Sequence, residues 1–285
     1  MGSLLSGLEK FGLGKISEME LYEKEGEQKE GVKENKQEAH VVTEEELLLE
    51  KTYKCPVCDA TFKSKAVKTG KAKLEGSDSD LRPRYQTVDV LKYDAIVCPE
   101  CGYAALNRFF KFITNPQMKM IREQISASFK GLEESGAIIT YDEAIMRHQL
   151  ALANTIVKKG KASEKAYTCL KLAWLCRGKA ETLPEDTPNR EKEIEELKSQ
   201  EDELLKNAYN GFITALSEEV FPICGMDEFT FLCLVAELGR KAKDYENSQK
   251  LISSIIVSKA ASTKIKERAR MIRDAIKKDL ADKNE

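Results

Sequence analysis

The chain contains no run approaching the roughly 18 apolar residues of a membrane span, which excludes a helical membrane protein. Its start lacks the basic-then-apolar pattern of a secretory signal. It has only two histidines in 285 residues, His40 and His148. His40 falls in a polar stretch. His148 stands beside Arg147 and has the chemistry of a general base, but no Cys or Ser nucleophile pairs with it in the pattern. It reads as a partly buried or surface histidine of a helix. There is no Gly-rich loop of the kind that cradles phosphates and no nucleophile elbow. These absences point away from an enzyme.

Charged residues make up 33% of the chain and hydrophobic residues 41%, enough for a core in one large or two modest domains. The formal charge of −2 conceals an uneven distribution. Residues 1–50 carry 13 Glu against 6 Lys, whereas residues 51–115 carry 12 basic residues against 7 acidic ones. The remainder is balanced.

The sharpest signal lies in the cysteines. Cys55-Pro56-Val57-Cys58 is followed, after 39 residues, by Cys98-Pro99-Glu100-Cys101-Gly102-Tyr103. Each C-x2-C pair sets two sulfurs on one tight turn, and two such turns make a tetrahedral four-sulfur site. That geometry suits one structural Zn2+ per chain, bound by Cys55, Cys58, Cys98 and Cys101. Iron is the alternative ion, since four-sulfur sites accept both. A thioredoxin-like dithiol would need one C-x-x-C in a βαβ setting. The other four cysteines, Cys169, Cys176, Cys224 and Cys233, sit among apolar residues and read as small buried hydrophobes. Eight cysteines without a secretory signal imply a reducing compartment, and the expected location is cytoplasmic.

Three segments follow. Residues 1–50 form an N-terminal segment and a flexible acidic linker. Residues 4–13 there have the makings of a short amphipathic helix, and the Glu/Lys-rich stretch from Glu18 to Glu46 has too few apolar residues to order itself. Residues 51–113 read as a small β-rich, zinc-ribbon-like module with a long polar hairpin or loop from Lys63 to Asp80. Residues 114–285 read as helical. Asn115-Pro116 opens a helix whose Met118, Ile121, Ile125, Phe129 and Leu132 share one face. Thr140 and Glu143 form a capping box for a second helix ending near Gly160. Further helices are expected near 163–178, 189–217 (started by Thr187-Pro188), 227–241, 244–257 and 262–282. They pair in succession, and Leu234 to Ile256 resembles a tetratricopeptide-type helical pair. The fold class is therefore α+β, mostly α, with a zinc-ribbon-like module followed by an antiparallel helical-pair bundle.

The run Asp80-Leu81-Arg82-Pro83-Arg84-Tyr85, the second knuckle Val97-Cys98-Pro99-Glu100-Cys101-Gly102-Tyr103-Ala104-Ala105, and the opening Leu4-Leu5-Ser6-Gly7-Leu8 resemble the bacterial DUF2225 family. The resemblance covers most of the chain. It implies a cytoplasmic bacterial protein with a zinc-ribbon-like N-terminal part and a tetratricopeptide-like C-terminal part, and it carries over no catalytic residues.

The expected function is a non-enzymatic adaptor that presents a helical surface to a protein or peptide partner. An alternative is a nucleic-acid-binding regulator using the ribbon and the lysine comb Lys63, Lys65, Lys68, Lys71 and Lys73, although no stacking aromatics alternate with these lysines. A third reading is an enzyme with its site between ribbon and helices. Arg82, Arg84 and Tyr85 are candidates to contact a ligand or partner; the competing expectation pairs the arginines with Asp78, Asp80 or Asp89.

Overall fold

The structure, a computed structural model, describes residues 42–132 and 136–282. The 4–13 segment, the acidic stretch before residue 42 and His40 lie outside the described residues. Three two-stranded antiparallel ladders come first: β1 (Leu48–Lys54) with β2 (Thr61–Val67), β3 (Leu74–Ser77) with β4 (Pro83–Tyr85), and β5 (Ala95–Val97) with β6 (Ala104–Leu106). Among the described residues seven α-helices follow, giving an α+β fold that is mostly α. They are α1 (Asn115–Ile121), α2 (Tyr141–Val157), α3 (Ala162–Thr182), α4 (Arg190–Glu218), α5 (Glu228–Lys241), α6 (Tyr245–Val257) and α7 (Thr263–Ala281). Among the described residues no helix is long and apolar enough to cross a membrane.

Local signals explain most helix boundaries. The Thr140 hydroxyl accepts from the Glu143 N–H and the Glu143 carboxylate accepts from the Thr140 N–H, so two otherwise orphaned donors at the start of α2 are satisfied. Asp227, Asp244 and Ser262 cap α5, α6 and α7 by accepting from the N–H groups of Thr230, Asn247 and Ile265, without the return bond. The first helix departs from expectation. Its apolar spacing predicts a helix through Leu132, yet α1 gives way to a π turn at Arg122–Ser126 and stops. The side chains of that turn are engaged with the cysteine knuckles, and this tertiary demand overrides the period. At the other end of the expected boundaries, α4 starts from Asn189 in a left-handed conformation (φ 56°) rather than from Thr187-Pro188.

Helices α3 and α4 run antiparallel and touch along their length. Near one end a Cβ on Gly211 would lie 2.9 Å from Ala166, and near the other Arg177 reaches Glu201 at 2.7 Å. Leu170, Trp174, Leu205, Phe212 and Phe231 fill the core between α3, α4 and α5. Helices α5, α6 and α7 share a smaller core of Ile252, Ile255, Ile272 and Ile276. Cys169, Cys176, Cys224 and Cys233 are buried within these layers, and burial pushes each thiol upward, to between about 11 and about 12. The strand-bearing N-terminal part has a separate aromatic core of Tyr53, Phe62, Tyr103 and Phe110.

Candidate metal centre

Each knuckle is the turn of an antiparallel hairpin. β1 and β2 pair from Leu48–Val67 to Lys54–Thr61. The turn closes with the Cys55 N–H donating to the Ala60 carbonyl (2.9 Å) and the Asp59 N–H to the Cys55 carbonyl (3.0 Å). The β5–β6 hairpin repeats this arrangement: the Cys98 N–H donates to the Tyr103 carbonyl (2.9 Å) and the Gly102 N–H to the Cys98 carbonyl (3.0 Å). In both, the residue after the second cysteine is left-handed, Asp59 at φ 62° and Gly102 at φ 70°. Aspartate visits that region more readily than most residues, and glycine does so without steric cost. Gly102 is constrained further, because a Cβ there would lie 2.6 Å from the ring of Phe129. Gly102→Ala is expected to cost about 1–3 kcal/mol, read as a lowered urea midpoint at unchanged slope.

The two hairpin turns bring four sulfurs together. Sγ of Cys55 lies 3.6 Å from that of Cys101, and Sγ of Cys58 lies 3.6 Å from that of Cys98. All four fall within 4.8 Å of one another. A tetrahedron with metal–sulfur bonds of 2.3 Å has edges of about 3.8 Å, so the set fits a metal ion. Cys55, Cys98 and Cys101 are buried and Cys58 is exposed. The hydrogen bond shared with the Cys101 sulfur, with backbone N–H groups beside it, holds Cys55 down to about 5. The same bond, together with burial, pushes Cys101 upward, and burial raises Cys98 to about 11. A metal ion held by Cys55, Cys58, Cys98 and Cys101 would supply the positive charge that lets all four ionise together.

Helical side chains secure the knuckles from outside, and these were not singled out by the sequence. Arg122 donates through Nε to the Val57 carbonyl at 2.9 Å and through Nη2 to the same oxygen. One turn on, the Ser126 hydroxyl donates to the Cys101 carbonyl at 2.8 Å. Asn154 of α2 donates to the Gly102 carbonyl at 3.0 Å. Four sulfurs around one ion would complete a tetrahedron and leave no vertex for water or substrate.

The Arg82–Tyr85 run lies elsewhere, on and before β4. Arg82 is buried and donates to Glu181 of α3 (3.0 Å) and to Asp89 (3.3 Å). Gly178 makes room for it; a Cβ there would meet the guanidinium at 2.6 Å. Arg84 grips Asp78 with Nε and Nη2, each at 2.7 Å, and reaches Glu181 at 2.8 Å. Tyr85 is half-buried opposite Leu74. Asp80 takes different partners: it is fully buried, with Arg177 of α3 at 2.5 Å and Lys241 of α5 at 3.2 Å. Burial alone would raise its carboxyl, but Arg177 and Lys241 outweigh that and hold it well below the usual carboxylate range.

Three lysines of the comb are engaged within the fold. Lys63 pairs with Glu50 at 2.9 Å, Lys65 donates to the Gly136 carbonyl at 2.6 Å, and Lys68 donates to the Glu46 carbonyl at 2.8 Å. Lys63 and Lys65 lie on strand β2 rather than in a solvated loop. His148 is fully buried, not at the surface. Its Nδ1 lies 2.7 Å from the Ala144 carbonyl, and burial brings its pKa down to about 4, so it stays neutral near pH 7.

A family model described as "Uncharacterized protein conserved in bacteria", DUF2225, matches residues 48–276. No curated protein and no solved structure matches the chain.

Proposed function

We propose a function for a chain that belongs to the DUF2225 family: it is a cytoplasmic, zinc-binding, non-enzymatic adaptor. One Zn2+ per chain staples the ribbon, and the successive tetratricopeptide-like helical pairs offer a surface to a protein or peptide. The observation that carries this reading is the closed four-sulfur cluster, buried at three of its four sulfurs and braced by Arg122, Ser126 and Asn154. A cluster of that kind supports a structural ion rather than a reactive one. The Ser248 hydroxyl donating to the Ala236 carbonyl at 2.6 Å, inside the α5–α6 contact, supports close pairing of the tetratricopeptide kind. Stacked helix pairs present extended surfaces for recognition.

Selection of displayed peptides on the immobilised full-length protein tests the adaptor reading, with single-stranded and duplex oligonucleotides assayed beside it. The expected result is enrichment of a peptide class and no oligonucleotide retention at physiological salt. Oligonucleotide binding that falls steeply between about 50 and 200 mM salt, and is lost when Lys63, Lys65, Lys68, Lys71 and Lys73 become Glu, would instead establish the nucleic-acid reading.

A further inference from the structure

A groove of about 780 Å³ lies between the β3–β4 hairpin and helices α5 and α7. Its volume is in the range of sites that take small ligands or short peptide segments. The charges around it are not evenly satisfied. In this belt Arg82, Arg84, Arg177 and Arg240 each rest on two or more carboxylates within 3.3 Å. Arg268 of α7 does not. Among the described residues its guanidinium makes only long hydrogen-bond contacts to neutral oxygens, the Ser77 hydroxyl at 3.5 Å and the Asp78 carbonyl at 3.4 Å. Lys264, one turn earlier on the same face, is exposed and has no carboxylate within ion-pair distance among the described residues.

Beside this pair the groove wall is apolar. Ile265 and Met271 line it, and Met271 is 72% exposed. The acidic groups in the lining do not cancel the two cations. Glu237 is bound on both oxygens by Arg240 (2.8 and 3.0 Å), and Asp78 is held by Arg84 and Arg177. Glu267 is exposed and lies beyond ion-pair distance of either cation.

We infer that this groove docks an acidic segment of a partner protein, with a carboxylate side chain held by Lys264 and Arg268 and a neighbouring apolar side chain laid against Ile265 and Met271. Arginine and lysine one helical turn apart match carboxylates on an extended or helical segment. Charge complementarity of this kind selects against basic partners as firmly as it attracts acidic ones. The inference rests on the adaptor reading and names the chemistry of the partner.

The test uses two fluorescent ten-residue peptides, one alternating Glu and Asp with Leu and Ile, the other with Gln and Asn in place of the acids. They are titrated into the full-length protein together with the peptides recovered by display. The acidic peptide and the display peptides are expected to bind, and the amide peptide at least tenfold more weakly. Lys264→Glu with Arg268→Glu is expected to reduce binding at least tenfold, while Lys264→Arg with Arg268→Lys retains it. Lys264→Glu alone, at an exposed position without a partner to lose, keeps the test valid if the double variant loosens the hairpin. Display peptides that bind equally well to the charge-reversed protein, or that are basic, would overturn the groove assignment and leave the adaptor reading standing. Failure of every peptide to bind would remove the adaptor reading itself.

Discussion

Replacing Cys98 with Ser is expected to abolish metal retention and melt the ribbon. The sulfur it removes is one of four in a closed cluster, and it lies in a hairpin only three residue pairs long. A ladder that short has little stability of its own. Structural zinc supplies on the order of 10–16 kcal/mol of apparent binding energy in small zinc domains. Here the aromatic core of Tyr53, Phe62, Tyr103 and Phe110 carries part of the load, so the expected loss is smaller than in those domains. Elemental analysis should find about one Zn per wild-type chain and none in the variant, with the first thermal transition markedly lowered. Chelation of the wild type should reproduce that shift, and added metal should reverse it by mass action. A variant that keeps its metal, or that melts with the wild type, would remove the structural assignment of the cluster.

The second large effect is expected from Arg177→Met. This guanidinium serves Asp80, Asp78 and Glu201 at once, and Asp80 is fully buried. Removing the cation leaves a buried carboxylate with only Lys241, and breaking such a pair costs about 3–5 kcal/mol. In the double variant with Asp80→Asn, the second substitution is expected to recover about 1–3 kcal/mol of coupling, seen in a double-mutant cycle of urea unfolding.

The pH dependence has a definite sign. The native carboxyl of Asp80 titrates below its unfolded value of about 3.9, so the unfolded chain takes up the proton first as pH falls. Its contribution is complete above about pH 5 and is lost progressively as pH falls below about 4. The stability difference between wild type and Asp80→Asn should therefore be constant from pH 7 to 5 and shrink below that. Comparing the two variants cancels the acid sensitivity of the cysteine cluster, which both share.

The parts of this molecule that were legible in sequence are those set by local rules. Two matched C-x2-C pairs led to one four-sulfur cluster because each pair needs only its own tight turn. The Thr140–Glu143 box and the apolar periods located α2 and the last three helices to within a few residues. What was illegible depended on distant partners. The face through Phe129 and Leu132 looked helical because its spacing was right, but Arg122 and Ser126 are drawn to the carbonyls of Val57 and Cys101, and the helix ends in a π turn. His148 has an unremarkable polar neighbourhood in sequence and is buried by α2 packing. Asp80 stands three residues from Pro83 among charged neighbours, yet its counter-ions come from α3 and α5 rather than from Arg82 or Arg84. Arg122, Ser126, Asn154, Arg177 and Lys241 carry no motif; only the tertiary structure assigns them a part.

The partners of Asp80 also impose an order on synthesis. The Cys98 and Cys101 knuckle follows it within about two dozen residues, so the four sulfurs can gather as soon as the ribbon leaves the ribosome. Arg177 emerges 97 residues after Asp80, and Lys241 later still. Until both have been made, that carboxylate is stabilised by water, and burying it would leave a bare charge in the interior. A nascent chain arrested before α3 holds all four cysteines of the cluster but neither cation that faces Asp80. The long-range contacts of Asp80 are therefore among the last that synthesis allows to close.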